Sequence, residues 1–349
     1  MNYKLFISGV FIMLLIACKS ESKPEKNLII EASDPKMDLA VLINELTLED
    51  KYPQNDVRRY GVFPDLTVGN HPKTGQNKMN EILNLAEMGL ELNFPEGVYK
   101  TVLNFSNRNG VKLHFDKAAF IGAILINGTS EQKIKNINLT GTLLSYSSFS
   151  STYNSGVAID SLIIKNDKTI NISNLNSSGC NIYIGTFSLS INYLEIEGIG
   201  SVGDQFRYTP AALMIHGKSP SPEDILIKHA NIKSSDRHGA YLSGKFIEIN
   251  KLFITSVGLG EIENMPKIAY TKPGEEKEIT AVWLKDFEDS NIGDLHINTS
   301  SSPKLNYALY LDSGDINFPS TVSIVHLAGK NNEVKRSPAT NIDVIYFKE

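Results

Sequence analysis

Asp236-Arg237-His238-Gly239, with Tyr241 close behind, gathers three chemically capable side chains in one short run. A guanidinium pairs bidentately with a carboxylate. An imidazole titrates near neutrality and suits a general base, and a phenol can donate a proton. On a carboxylate-bearing substrate Arg237 would neutralise the acid, His238 would take a proton from the neighbouring carbon, and Tyr241 would protonate the departing oxygen. The same string also fits a polar turn between two strands, in which case it does no chemistry.

A β-strand must carry this cluster. From Arg237 to Gly244 the chain runs through small, apolar, aromatic, apolar and polar residues, and that order returns at Asn181–Gly185, Ala212–His216, Ala281–Lys285 and Ala308–Asp312. Alternation sends the aliphatic neighbours to one face and the central residue to the other. Aligned, the copies give an outward column of Ala158, Tyr183, Met214, Tyr241, Trp283 and Tyr310. Two residues on stands a second column of Asp160, Gly185, His216, Ser243, Lys285 and Asp312. Rings rimmed by hydrogen-bonding groups suit sugars, whose faces are apolar and whose edges are polar. Tyr183, Met214, His216, Trp283, Lys285, Tyr310 and Asp312 are therefore expected to line sugar subsites beside Arg237, His238 and Tyr241. The competing expectation is that the rings stack only on one another or lie under loops.

A second strand follows most copies, for example Ile225, Ile227, Ala230 and Ile232, or Ile247, Ile249, Leu252 and Ile254. Short strands repeating at intervals of a few tens of residues mark a solenoid, whose units bury their apolar faces only by stacking. Ile, Asn, Ser, Thr and Gly dominate these runs and no helical period is present, which points to a β-solenoid. The longest interval, from Tyr241 to Trp283, leaves Gly260–Glu278 as a polar loop placed to wall a groove. Gly200–Pro210, with Asp204, Arg207 and Tyr208, is a shorter one.

The chain has 349 residues, 41% of them hydrophobic, enough for one elongated domain. A formal charge of −5 without any Lys/Arg cluster argues against nucleic acid as a partner. Residues 1–17 read as a targeting segment, since Lys4 precedes an apolar run, Leu5–Ile16, too short for a good transmembrane span. Leu15-Ile16-Ala17-Cys18 resembles the lipobox of bacterial lipoproteins. That resemblance implies cleavage before Cys18, a lipid on that cysteine, and a membrane-anchored protein of the bacterial outer membrane or periplasm. Residues 18–34 are a polar tether and 35–349 a single domain. Cys180 is then left without a disulfide partner.

Leu39, Leu42, Ile43 and Leu46 recur at helical spacing, as do Met79, Ile82, Leu83, Leu85 and Ala86 between Gln76 and Met88. A Tyr60-Gly61 to Asp65 segment, then that amphipathic helix, then Phe94-Pro95-Glu96-Gly97-Val98-Tyr99 resembles the start of pectin-lyase-like proteins. That superfamily holds polysaccharide lyases, polygalacturonase-type hydrolases and phage tailspikes. The resemblance implies an all-β, right-handed parallel β-helix with a short N-terminal helical cap. It also implies an enzyme that cleaves an anionic, uronate-containing polysaccharide by β-elimination, with Arg237, His238 and Tyr241 in the roles given above.

His238-Gly239 resembles as well the His-Gly of polygalacturonase-type hydrolases, which need paired carboxylates. Asp204, Asp236 and Asp312 are the residues that stacking might assemble for them. A protein of another class, one that only holds glycan at the cell surface, would keep the ring column and need no base. The histidines at 71, 114, 216, 229, 238, 296 and 326 show no His-x-x-x-His or Cys-rich spacing, so no metal ligand or cofactor is assigned. Acidic residues on a coil of this kind could hold Ca2+.

Overall fold

Isoleucine placement along Glu223–Ser234 shows how each turn is built. Ile225, Ile227, Ala230 and Ile232 are buried, whereas Asp224, Lys228 and Lys233 are exposed. The two-residue period slips by one between Ile227 and Ala230. The strand bends there, and both halves keep their apolar side chains on the inside. The same slip separates Leu189 and Ile191 from Leu194 and Ile196, and Ile247 and Ile249 from Leu252 and Ile254. What reads as one apolar strand per repeat is thus two legs joined at a corner. The strand with the outward rings supplies the third leg.

The structure, a computed structural model, describes residues 38–145, 153–165, 179–198, 211–217, 220–260 and 278–348. Cys18 with its leader and tether, Asp204, Arg207 and Tyr208, and residues 261–277 of the long loop lie outside the described residues. The compact unit Leu39–Glu349 contains helices α1 (Leu39–Leu46) and α2 (Lys78–Glu87) and, among the described residues, one sheet of eighteen strands. The first are β1 (Leu92–Phe94), β2 (Gly97–Asn104), β3 (Lys112–Phe115), β4 (Ala118–Ile126), β5 (Lys133–Lys135) and β6 (Ile137–Ser145). Then come β7 (Val157–Lys165), β8 (Gly179–Tyr183), β9 (Phe187–Glu197), β10 (Ala211–His216), β11 (Glu223–Ser234) and β12 (His238–Ser256). The last are β13 (Ile279–Glu288), β14 (Asn291–Asn298), β15 (Leu305–Leu311), β16 (Ser320–Ala328), β17 (Val334–Arg336) and β18 (Ile342–Lys348).

These strands pair in parallel, each with its counterpart a turn away. The ring-bearing legs run β8–β10–β12–β13–β15–β17, and the bent legs run β9–β11–β12–β14–β16–β18. Equivalent residues stack: Ile227 on Ile249 on Ile292, and Ile232 on Ile254 on Ile297. This is the connectivity that a parallel β-solenoid requires, and the core is one continuous apolar cluster along it. In the early turns β2, β4 and β6 cross a corner at Gly122, where φ is +152° and a Cβ would strike the Thr101 carbonyl. Only glycine fits there.

The helices appear where their periodicity puts them. Asn77 caps α2, its Oδ1 accepting from the Met79 N–H at 2.9 Å. Met79, Ile82, Leu83, Leu85 and Ala86 join the same apolar cluster as Leu92, Phe94 and Leu113 of the first turns. Polar residues also enter the interior. Asn154 accepts from the Thr129 N–H at 3.1 Å and donates to the Ile126 carbonyl at 3.0 Å and to Ser145 Oγ at 3.1 Å. Ser145 Oγ in turn lies 2.8 Å from Thr186 Oγ1, so a buried hydrogen-bonded chain crosses successive turns.

Candidate functional site

On the third leg, Leu213, Ile215, Ala240, Leu242, Val282, Leu284, Leu309 and Leu311 face the main core. Their alternates point away from it. Met214 pairs with Tyr241, Tyr241 with Trp283, and Trp283 with Tyr310, so four of the expected column residues are neighbours on successive turns. Tyr241 and Trp283 meet edge-on with centroids 5.3 Å apart, and Trp283 and Tyr310 stack at 5.3 Å and 24°.

Two members are placed elsewhere. Met214 pairs with Asn181 on its other side, and Tyr183 stands two residues on, beside His216. The Tyr183 hydroxyl donates to Asn181 Oδ1 at 3.2 Å. Gly156–Asp160 is no copy of the ring-bearing strand: Ala158 pairs with Lys133 and Ser190 on a bent leg, which takes Asp160 out of the rim as well.

The column is not an open floor. Met214, Tyr241, Trp283 and Tyr310 form a second buried cluster with Ala211, and they are only 3, 1, 2 and 8% exposed. The three rings pack against one another, and Lys335 lies over Tyr310. Asp312 is also committed, since its Oδ2 accepts from Trp283 Nε1 at 3.0 Å and lies 3.6 Å from Lys285 Nζ, while its Oδ1 accepts from the Ser313 N–H. It is a buried anchor for the indole rather than a group offered to a ligand.

The proposed catalytic trio is equally enclosed. Ser235-Asp236-Arg237 is the turn joining β11 to β12, and the next turn of chain hydrogen-bonds onto it from Gly258 and Gly260. Arg237 is the largest fully buried side chain of those described, so its guanidinium has no open face for a polymer carboxylate. His238 is fully buried, and its Nδ1 accepts from the Thr280 N–H at 3.0 Å. The ring proton therefore sits on Nε2, which makes no hydrogen bond among the described residues. Burial first, and the Arg237 charge second, depress His238 to about 3. A group whose one lone pair is taken and whose atoms are all shielded does not serve as a base in this state. Burial, with Asp286 and Asp312 adding, drives the Tyr241 phenol well above its ordinary value, so it stays protonated and is a reluctant donor.

Solvent still reaches the rim. His216 is half-buried, its ring 5.5 Å from Tyr241 at 72°. Lys285 Nζ stands 6.0 Å from the Trp283 ring. Lys335, the register partner of Tyr310, lies 4.4 Å over that ring and 4.8 Å from Tyr307, and is held by Glu278 at 2.8 Å. Lys335 and Tyr307 are absent from the expected site because Lys335 sits in a polar tail with no copy of the strand motif.

A further feature has no counterpart in the sequence reading. Along the bent legs Tyr193, His229, Phe253, His296 and His326, all half-buried, form a stacked ladder. Successive centroids are 5.4, 5.2, 4.5 and 4.0 Å apart, with interplanar angles falling from 26° to 6°. Beside its last two rings, Asp294 Oδ1 is 3.0 Å from His296 Nε2 and 3.1 Å from His326 Nε2. The signal was present only as one ring per repeat, at positions just past the corner of each bent strand. Comparison with known proteins finds no matching family model, no matching curated protein and no matching solved structure.

Proposed function

We propose that the protein is a lipid-anchored envelope protein that binds an anionic, uronate-containing polysaccharide on the outside of a right-handed, pectin-lyase-like β-helix. Handedness follows the strong rule for parallel crossovers, and α2 is read as the cap of the first turn because its apolar face joins the core there. Membrane attachment rests on the Leu15-Ile16-Ala17-Cys18 string. Cys18→Ser should move the protein from the membrane to the soluble fraction, and retention on membranes would overturn that part.

One observation carries the binding site: two partly exposed lysines, Lys285 and Lys335, stand near Trp283 and over Tyr310, rings that stack on adjacent turns. Two cations on β13 and β17, two strand separations apart with the Trp283–Tyr310 stack between them, suit a polymer bearing carboxylates at intervals along its chain. Binding without cleavage is the primary reading, because His238, Arg237 and Tyr241, the base, guanidinium and phenol that elimination would need, are enclosed.

A second reading, β-elimination from the same rim, is favoured by His216. It keeps solvent contact while touching the Tyr241 ring. A panel of uronate and neutral polymers separates the two. Wild-type protein should retain the uronate polymers only, without the ultraviolet absorbance of an unsaturated sugar end. Lys285→Ala with Lys335→Ala should weaken retention about tenfold or more, a loss of roughly 1.4 kcal/mol or above. Absorbance that vanishes in His216→Ala but survives in His238→Asn would establish elimination in its place. Equal retention of neutral and anionic polymers would sink both.

A further inference from the structure

The geometry points to a divalent transition-metal site, of the Zn2+ class, at Asp294, His296 and His326 on the outer surface of the bent legs. Asp294 and His296 sit two residues apart on β14 and so share a face. His326 is the register partner of His296 on β16, one turn further on. Parallel stacking thus places two imidazoles side by side and a carboxylate beneath them. Nothing in the linear spacing of these residues announces it.

Three features separate this cluster from an ordinary ion pair. All three donor atoms lie within 4.8 Å of one another. Ligands about 2.0–2.2 Å from a tetrahedral Zn2+ stand roughly 3.3–3.6 Å from each other, and Asp294 Oδ1 is already 3.0 and 3.1 Å from the two Nε2 atoms. That oxygen is shielded from solvent and is shared between the two rings rather than held by one. The three atoms converge on a shared region instead of pairing off.

The rings are also held side by side. Phe253 stacks on His296 from behind at 4.5 Å and 13°, and His326 lies over the other face at 4.0 Å and 6°. Imidazole lone pairs lie in the ring planes, which are nearly parallel here, so binding turns the two rings about Cβ–Cγ until both Nε2 atoms face one ion. A surface hollow of about 270 Å³, lined by Phe253, Thr255, His296, Asn298 and His326, opens beside them. Two nitrogens and one oxygen favour Zn2+, Ni2+ or Cu2+ over Ca2+, which takes six to eight oxygens.

The test is calorimetric titration of the full chain, made without an affinity histidine tag and stripped with chelator, using ZnCl2 and, separately, CaCl2. A single equivalent of Zn2+ should bind with a dissociation constant of about 1 µM or tighter, and CaCl2 should give no saturable heat. His326→Phe keeps a ring to stack on His296 but removes the nitrogen, so it should abolish the binding with the circular dichroism spectrum unchanged. Asp294→Asn should weaken it about tenfold or more, whereas His229→Phe, further along the ladder, should leave it intact. Absence of saturable Zn2+ binding, or binding that His326→Phe leaves unaltered, overturns the site.

Discussion

Trp283→Ala should lower the unfolding free energy by about 3–5 kcal/mol, the usual cost of truncating a fully packed large aromatic. Trp283 is stacked on Tyr310, met edge-on by Tyr241 and His238, and tied through Nε1 to Asp312. Its removal leaves a cavity in the outer cluster and deprives a buried carboxylate of its 3.0 Å donor. Urea denaturation followed by circular dichroism measures the effect. The experiment separates two pictures of the column. A ring on the floor of an open groove contributes little to folding and much to ligand affinity, so a loss under about 1 kcal/mol would mean the floor is open after all.

Acid should unfold the protein through His238. In the folded state its pKa is depressed from the ordinary 6.5 to about 3. Above the unfolded value the ring is neutral in both states and pH has no leverage. Below it, the unfolded chain binds a proton that the folded chain refuses, so stability is lost as pH falls toward the folded value. The slope is about 1.4 kcal/mol per pH unit at its steepest, and the total is on the order of 5 kcal/mol. Most carboxylates begin to contribute only near pH 4, which leaves the window from about 6 to 4.5 as the one where His238 is heard. His238→Asn keeps an acceptor near the place of Nδ1 for the Thr280 N–H and has no proton to gain. It should start less stable because of the lost ring volume, but its stability should stay flatter through that window. Parallel slopes for the two proteins would show that the imidazole is not held neutral.

The sequence made the turns legible because isoleucine spacing is a strict physical demand. A residue either reaches the interior or does not, and Ile225, Ile227, Ala230 and Ile232 all do. It did not reveal the bend, since a slip of one in the period looks like irregularity until the corner is seen. Tyr183 was misplaced for a related reason. A slip of two residues leaves every side chain on its proper face, so alternation cannot tell Tyr183 from Asn181 as the neighbour of Met214. Alternation also reports which way a side chain faces, not whether that face is covered, and so Tyr241 and Trp283 were expected in the open. The Asp294, His296 and His326 group escaped because its members come from separate turns, and metal spacing rules describe ligands close in sequence.

The buried chain of Asn154, Ser145 and Thr186 bears on a problem that any repetitive coil must solve. Isoleucine over isoleucine looks alike one turn up or down, so greasy stacking by itself would tolerate a misthreaded molecule almost as well as a true one. An amide that finds its acceptors at Ile126 and Ser145, and its donor at Thr129, does so in only one threading. Displaced by a turn, it would be entombed among hydrocarbon with nothing to bond, which is among the costlier mistakes a protein can make. Asn154 therefore acts as the key cut for one lock, telling otherwise interchangeable layers which of them comes next.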